Sequence, residues 1–229
     1  MFRGKKISVV IPCFNEEEGI ARVIPSLPAS VDEVIVVDNN STDRTQEVAR
    51  KLGARVVFEK RKGYGAAYQA GLAAVTGDIT VTMDGDGTYP VDEIEACVAH
   101  LLDRNVDFLS ASRFPLKDPR AMNRSNKIGN AVLTFATLVL FMRGIKDSQS
   151  GMWIFRSPVY GMLRPRSEGM PFSEEIKIKA LADRRITFDE CHITYRPRIG
   201  EVKLQKWRDG LRNLLYLVKL RVETLRPRA

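Results

Sequence analysis

Two carboxylates one residue apart, Asp84 and Asp86, end a β-branched run and alternate with glycines as Asp84-Gly85-Asp86-Gly87. Acids at this spacing can share a hard divalent cation whose remaining positions go to diphosphate oxygens, and the glycines let backbone and metal approach closely. An EF-hand loop competes for the same residues, with Asp84, Asp86, Thr88 and Glu95 at its positions 1, 3, 5 and 12. Its sixth position requires glycine and holds Tyr89, followed by Pro90, and the preceding element reads as a strand. A plain polar turn stays open beside the metal–diphosphate reading. Further along, Lys60-Arg61-Lys62-Gly63-Tyr64-Gly65 opens a helical stretch. Tyr68 replaces the third glycine of a dinucleotide fingerprint and the segment follows the third strand, which excludes a nicotinamide fold. What is left is an anion-binding helix start or a solvated basic turn.

The elements that must position these groups alternate from Lys6 onward. Strands are expected at 7–11, 34–37, 55–58, 79–83 and 106–110, with helices at 16–27, 42–52, 64–75 and 91–103. Ser41-Thr42-Asp43 supplies capping chemistry for the second helix and Gly53 stops it. Strands with little polar alternation, separated by helices, imply a mostly parallel sheet covered on both faces. Ligands of such sheets sit beyond the C-terminal strand ends. Asn15-Glu16, Asp38-Asn39-Asn40 and Asp84-Gly85-Asp86 all fall there, so three strands deliver acids or amides to one rim. The second half is less regular. Residues 114–130 read as a mobile basic loop leading into an apolar helix over 131–142, then a strand over 150–155, a helix over 173–183 and a strand over 186–195. There is no internal repeat, so the chain reads as one domain with a C-terminal appendage.

The chain has 229 residues, 44% of them apolar, which excludes disorder as the dominant state. Three cysteines without any CxxC spacing support neither a zinc site nor a disulfide framework, and reduced thiols in a cytoplasmic setting are expected. No leader is expected, because Pro12 and Asn15-Glu16-Glu17-Glu18 cut short the apolar run near the start. The longest apolar stretch, 131–142, would give about 18 Å of helix, short of a bilayer core of roughly 30 Å. Of the net charge of +8, residues 196–229 carry +7, with ten basic and three acidic side chains. In the same region Leu204, Trp207, Leu211, Leu214, Leu215, Val218, Val222 and Leu225 recur at helical steps. A basic amphipathic helix reads as interfacial, each cation near an anionic surface contributing roughly 1 kcal/mol. A helix packed on the core with a solvated basic back is the alternative, and the two can combine. No interleaving of aromatic and basic residues suggests a platform for stacked bases, so nucleic acid is not an expected partner.

Four segments in order, Ile11-Pro12-Cys13-Phe14-Asn15-Glu16-Glu17, Val37-Asp38-Asn39-Asn40-Ser41-Thr42-Asp43, Gly63-Tyr64-Gly65-Ala66-Ala67 and Met83-Asp84-Gly85-Asp86-Gly87-Thr88-Tyr89-Pro90, resemble the inverting family 2 glycosyltransferases with a GT-A fold. Ser112-Arg113-Phe114, Asp147-Ser148-Gln149-Ser150-Gly151 and Arg198-Ile199-Gly200-Glu201-Val202-Lys203-Leu204 resemble the dolichyl-phosphate mannose synthase-like, polyprenyl-phosphate branch. The resemblance covers about residues 5–205. It implies an α/β, Rossmann-like GT-A domain over 1–200, mostly parallel with helices on both faces, and a basic amphipathic C-terminal helix over 201–229. By the same resemblance Pro12, Phe14, Glu16 and Asp38 hold the nucleotide base and ribose, and Asp84 and Gly85 lie at the diphosphate. Asp84 and Asp86 take Mg²⁺ or Mn²⁺, with Asp86 the more direct ligand. Asp86, Arg113 and Glu174 are the catalytic candidates, Glu174 and Glu175 opening a helix where other family members place a catalytic acid, although helix-opening acids are common in any fold. Arg124, Lys127, Arg198 and Lys203 are the candidates for an acceptor phosphate, each also explicable as solvated surface. Thr88 stands where the mannose synthases usually carry glutamine, and Val202 where they carry serine, so donor identity does not carry over. His100 and His192 read as structural.

The implied reaction moves a sugar from a UDP- or GDP-sugar to a polyprenyl or dolichyl phosphate. Breaking the glycosyl–phosphate bond builds negative charge on the leaving diphosphate, which a cation stabilises without a proton donor. A phosphate monoester, with a second pKa near about 6, needs cations to hold it and no base. A hydroxyl acceptor would need a base, so a soluble family 2 enzyme acting on a glycan or small molecule stays as the alternative, and a sugar-nucleotide-binding module without catalysis as a third reading. UDP-glucose, UDP-N-acetylglucosamine and GDP-mannose all stay open as donors. The expected setting is peripheral, on the cytoplasmic face of a membrane, with a membrane-anchoring partner or a second copy as possible company.

Overall fold

The computed structural model describes residues 1–200 and 206–225 of the chain. Seven strands, β1 (Ile7–Cys13), β2 (Val31–Asp38), β3 (Arg55–Phe58), β4 (Ile79–Thr82), β5 (Phe108–Ser112), β6 (Trp153–Arg156) and β7 (Phe188–His192), form one sheet in the order β3-β2-β1-β4-β6-β5-β7. Pairings β1–β2, β1–β4, β2–β3 and β5–β7 are parallel, and β6 runs antiparallel to both its neighbours. The expected GT-A-like architecture, a mostly parallel sheet with helices on both faces, is what the chain adopts.

The lack of alternation in the strands has a direct cause. In β1, Ile7, Val9, Ile11 and Cys13 belong to a core shared with α1 (Glu17–Ser26), α2 (Thr45–Lys51) and α4 (Ile94–Asp103). Val10, on the opposite side of the pleat, belongs to a core shared with α3 (Tyr64–Ala73), α6 (Val159–Leu163) and α7 (Phe172–Ala182). Both faces are buried, so both registers must be apolar. Cys97 of α4 and Cys191 of β7, far apart in sequence, meet as thiols at 3.7 Å.

Two elements differ from the sequence expectation. Residues 114–130 are not loop throughout, because α5 (Arg124–Phe141) begins within them. Asn123 caps it, its Oδ1 accepting from the Asn126 N–H at 2.9 Å. The first turn, Arg-Ser-Asn-Lys, is polar, which hid the helix from a reading keyed to apolar periodicity. The last helix, α8 (Lys206–Leu225), is seated on the body: Leu217 and Leu220 are buried with Leu133 of α5 and Ile178 of α7. The buried side is Asn213, Leu217 and Leu220, whereas Leu211, Leu215, Val218 and Val222 of the apolar stripe stay exposed. The core-packed reading holds for the buried side of this helix, and the apolar residues on its opposite side are exposed. Among the described residues no helix is long and apolar enough to cross a membrane.

Candidate active site

Because β2, β1 and β4 are neighbours, their C-terminal ends bring Asp38, Glu16 and the Asp84–Asp86 turn to one rim. Glycine makes the close approach possible. A Cβ on Gly19 would overlap the Gly85 carbonyl oxygen, and one on Gly85 would stand 2.8 Å from the Cys13 sulfur. The start of α1 thus lies directly against the acidic turn.

Asp84 accepts from the Tyr64 hydroxyl at 3.2 Å. Burial, and then the neighbouring Asp86 carboxylate, push Asp84 up to about 7. Asp86 is buried; its Oδ1 accepts from the Thr88 N–H at 3.0 Å and the Thr88 hydroxyl at 2.7 Å. Thr88 therefore fixes the Asp86 rotamer. The other oxygen, Oδ2, faces Arg198 Nη1 at 2.9 Å, and Arg198 Nη2 reaches Glu16 Oε1 at 2.5 Å. One guanidinium thus sits between two rim carboxylates. Its strand of chain is tied down by Arg196 N–H to Thr88 O (2.9 Å) and Ile199 N–H to Asp86 O (2.8 Å).

A divalent cation fits this donor set. Asp84 and Asp86 supply hard oxygens, and the charge that burial, and then the Asp86 carboxylate, disfavour on Asp84 is one that a cation would stabilise. Among the described residues no cluster of three or more His, Cys, Asp or Glu side chains could hold a metal by itself. One or two carboxylates completed by substrate phosphates is a usual arrangement for Mg²⁺. Asp38 is fully buried, its oxygens accepting from Ser41 N–H (3.3 Å) and Gln46 Nε2 (2.7 Å), so it braces the turn after β2. Pro12 lies in β1 opposite Val37, and Phe14 exposes 42% of its surface at the rim.

Arg113 is buried rather than a solvated surface cation. It forms a two-pronged pair with fully buried Asp147, Nε to Oδ2 at 2.7 Å and Nη2 to Oδ1 at 2.8 Å, and lies 5.2 Å from the Tyr195 ring centre. Burial disfavours charge on Asp147, but the Arg113 guanidinium outweighs it and holds the carboxyl below its ordinary value. Beneath the pair lies a residue the sequence reading missed. The Lys177 amine, fully buried, donates to the Asp147 and Ser150 carbonyls at 3.1 and 2.9 Å, and burial pulls it down to about 7. In Glu-Ile-Lys-Ile-Lys nothing distinguishes this lysine from a solvent-facing one.

The two acids at the start of α7 have separate partners. Glu175 accepts from the Arg166 and Ser167 N–H groups at 2.9 and 2.7 Å and pairs with Lys179, pinning the 166–168 segment. The Glu168 carbonyl in turn accepts from the Ala66 N–H at 2.9 Å, and Arg61 pairs with Glu59 and Glu168. The start of α3 is therefore covered by protein, which leaves no open anion site there. Glu174 Oε1 accepts from Gln149 Nε2 at 2.5 Å, and burial pushes its carboxyl up to about 8, so it is protonated at neutral pH. Folding then takes up a proton on Glu174, and stability drops as pH rises from about 4.5 toward 8. Below about pH 7 the Lys177 amine is protonated in folded and unfolded chains alike, so it adds no slope there, and Glu174 shares the slope with Asp84, which is also raised, to about 7. Glu174→Gln is expected to reduce it in urea titrations across that window, leaving the part owed to Asp84; an unchanged slope would contradict the assignment.

Of the remaining candidates, Arg124 is exposed in the first turn of α5, and Lys127 reaches the Pro119 carbonyl at 3.0 Å. Lys203 lies outside the described residues. His100 contacts Asp189 at 2.8 Å and His192 the Pro115 carbonyl at 2.7 Å.

Known proteins share this arrangement of sequence and fold. Residues 8–162 match the model described as glycosyl transferase family 2. A low-salt glycan biosynthesis hexosyltransferase, Agl6, from Haloferax volcanii is 33% identical over 219 residues, covering 93% of this chain and 53% of that protein, so the chain spans about half of that relative's length. A dolichyl-phosphate hexose transferase from the same organism is 34% identical over 209 residues, 89% of each chain. Among solved structures, glucosyl-3-phosphoglycerate synthase from Mycobacterium tuberculosis, in complex with Mn²⁺, uridine diphosphate and glucosyl-3-phosphoglycerate, is similar with a TM-score of 0.72 at 26% identity, over 95% of this chain and 80% of that one.

Proposed function

The chain belongs to glycosyl transferase family 2 and is a glycosyltransferase, and from that premise we propose that it moves a hexose from a nucleotide diphosphate sugar to a dolichyl or polyprenyl phosphate, at the cytoplasmic face of a membrane on which it sits peripherally. The observation that carries the reading is the pairing of a carboxylate turn built for a cation with a candidate acid that is no base. Glu174 is protonated at neutral pH and hydrogen-bonded to Gln149. A hydroxyl acceptor needs a base, whereas a phosphate monoester is already anionic.

Asp86, with Asp84 beside it, would hold Mg²⁺ or Mn²⁺, which when bound neutralises charge on the leaving diphosphate. Thr88 keeps Asp86 in the orientation this requires. Arg198, now on Asp86 and Glu16, would yield Asp86 and turn its guanidinium to phosphate oxygens. Pro12, Phe14, Glu16 and Asp38 frame the nucleoside, with Gly85 against the diphosphate. Arg113, locked by Asp147, offers fixed positive charge beside the reacting groups, and Arg124, Lys127 and Lys203 are the further cations for the acceptor. An acceptor phosphate oxygen attacks the anomeric carbon opposite the diphosphate; the new C–O bond forms as the old one breaks, and no proton moves.

The second reading, a soluble enzyme with a small acceptor, is favoured by the likeness to glucosyl-3-phosphoglycerate synthase. Labelled UDP-glucose, UDP-N-acetylglucosamine and GDP-mannose, each with Mn²⁺ or Mg²⁺, separate the two when offered dolichyl phosphate, phosphoglyceric acid or a neutral glycan. Transfer to dolichyl phosphate with at least one donor is expected. Transfer confined to phosphoglyceric acid or the glycan would overturn the lipid reading.

A further inference from the structure

The C-terminal ends of α6 and α7 and the second half of α8 line a cleft of about 1050 Å³, at the upper limit of the usual size for ligand sites, about 300–1,000 Å³. Its lining includes five cations, Arg164, Arg166, Lys179, Arg184 and Arg185. Residues 1–195 as a whole carry a net charge of only +1, so this gathering is not a property of the body at large. The two acids of the lining are already engaged, Asp183 with Arg185 at 2.6 Å and Glu223 with Lys219 at 3.9 Å. Glu174 opens α7 and Ala182 ends it at the cleft, about 12 Å farther along the helix. None of the residues assigned to the transfer reaction lines this cleft.

Arg164 follows α6 in the left-handed region, at φ 45° and ψ 57°, where a side chain is strained and helices usually end on glycine or asparagine. The backbone is held in that shape by α7. Lys179 Nζ donates to the Arg164 carbonyl at 2.8 Å, and buried Glu175 accepts from the Arg166 and Ser167 N–H groups at 2.9 and 2.7 Å. An arginine standing where glycine would cost less points to a use for its guanidinium. Cations also collect at helix C-termini to meet the dipole, but other donors already serve the end of α7, where Arg143 Nη1 donates to the Leu181 carbonyl at 2.7 Å. Among the described residues no acid forms an ion pair with Arg164, Arg166 or Arg184, whereas Lys179 and Arg185 each have one. All three unpaired arginines are exposed.

We propose that this cleft is a second ligand site, separate from the acidic turn, which takes a small molecule or headgroup carrying two or more phosphate groups, held by Arg164, Arg166 and Arg184. Guanidinium groups match phosphate oxygens in pairs of parallel hydrogen bonds. Three of them without counter-charge in one cleft repel one another, and a polyphosphate removes that repulsion. The proposal stands whichever acceptor the transfer reaction uses.

Calorimetry of the full chain with inositol hexakisphosphate, without divalent cation and at physiological salt, tests the site. The wild type should bind it, and the double variant Arg166→Glu, Arg184→Glu at least about tenfold more weakly, since each charge-assisted contact is worth roughly 1.5–3 kcal/mol. The thermal shift by nucleotide with Mn²⁺ should be unchanged in that variant. Should the shift be lost, Arg166→Gln with Arg184→Gln replaces it under the same expectation. Lys5→Glu with Arg22→Glu, at exposed positions outside the cleft, makes the same change in net charge and should bind as the wild type does. Arg164→Gly suits the left-handed backbone, so it should melt no lower than the wild type and still bind more weakly. Phosphatidylcholine vesicles doped with phosphatidylinositol bisphosphate distinguish the two sources of the phosphates. Sedimentation with them that the double variant loses identifies a lipid headgroup, and binding confined to the soluble compound identifies a free ligand; either supports the site. Wild-type affinity in the double variant or in Arg164→Gly, an equal loss in the Lys5, Arg22 control, or no binding by the wild type would overturn it.

Discussion

Asp86→Asn is expected to lose roughly 10³-fold in transfer rate, about 4 kcal/mol of transition-state stabilisation, while folding as the wild type does. Asparagine keeps an oxygen for the Thr88 N–H and hydroxyl, which fix the side chain at 3.0 and 2.7 Å, but it removes the charge that a divalent cation needs. The variant separates chemistry from architecture better than alanine, which would also release Thr88. Its second consequence is independent of turnover. With Asp86 neutral, one of the two causes that raise Asp84 disappears, and the thermal shift produced by Mn²⁺ with nucleotide should vanish. A variant that keeps more than a tenth of the wild-type rate, or its full Mn²⁺ shift, would remove the role assigned to this turn.

Asp147→Ala carries the largest expected effect on stability. It leaves the Arg113 guanidinium buried beside Tyr195 with no counter-charge, and breaking such a pair from one side costs about 3–5 kcal/mol. For a chain of this size that is a fall of roughly 6–20 °C in melting temperature. It should be accompanied by lost transfer, because Arg113 is no longer held in one orientation. The pH dependence has a defined sign. Asp147 titrates below its ordinary value in the fold, so its contribution is full above the ordinary carboxylate range and is lost as pH falls through the lowered value. Thermal melts of wild type and variant should therefore converge in acid. A fall of under 2 °C at neutral pH would mean that Arg113 finds another partner.

What the sequence disclosed and what it concealed divide along physical lines. Strand ends carrying Glu16, Asp38, Asp84 and Asp86 were legible because a sheet buried on both faces tolerates polar residues only where it stops. The direction of β6 was not legible, since a short apolar strand reads alike in either sense. The start of α5 was hidden by a polar first turn whose only signal was Asn123. Lys177 was hidden more deeply: its partners are the carbonyls of Asp147 and Ser150, brought to it by tertiary packing that no local pattern announces. Of the stripe read on α8, Leu211, Leu215, Val218 and Val222 face outward, and the residues buried against the body, Leu217 and Leu220, lie outside that stripe, which only packing reveals. Arg198 was singled out among many cations, and the structure gives it a closer tie to the acids than sequence alone suggested.

The nature of the bond formed tests the account most directly. The full chain, incubated with its labelled nucleotide sugar, dolichyl phosphate and Mn²⁺, should release nucleoside diphosphate and send the label into chloroform. Phosphorus NMR of that product should show a phosphodiester joining sugar and lipid, formed only with a divalent cation present. Label that stays in water, or a lipid product whose phosphate is still a monoester, would contradict attack by the acceptor phosphate.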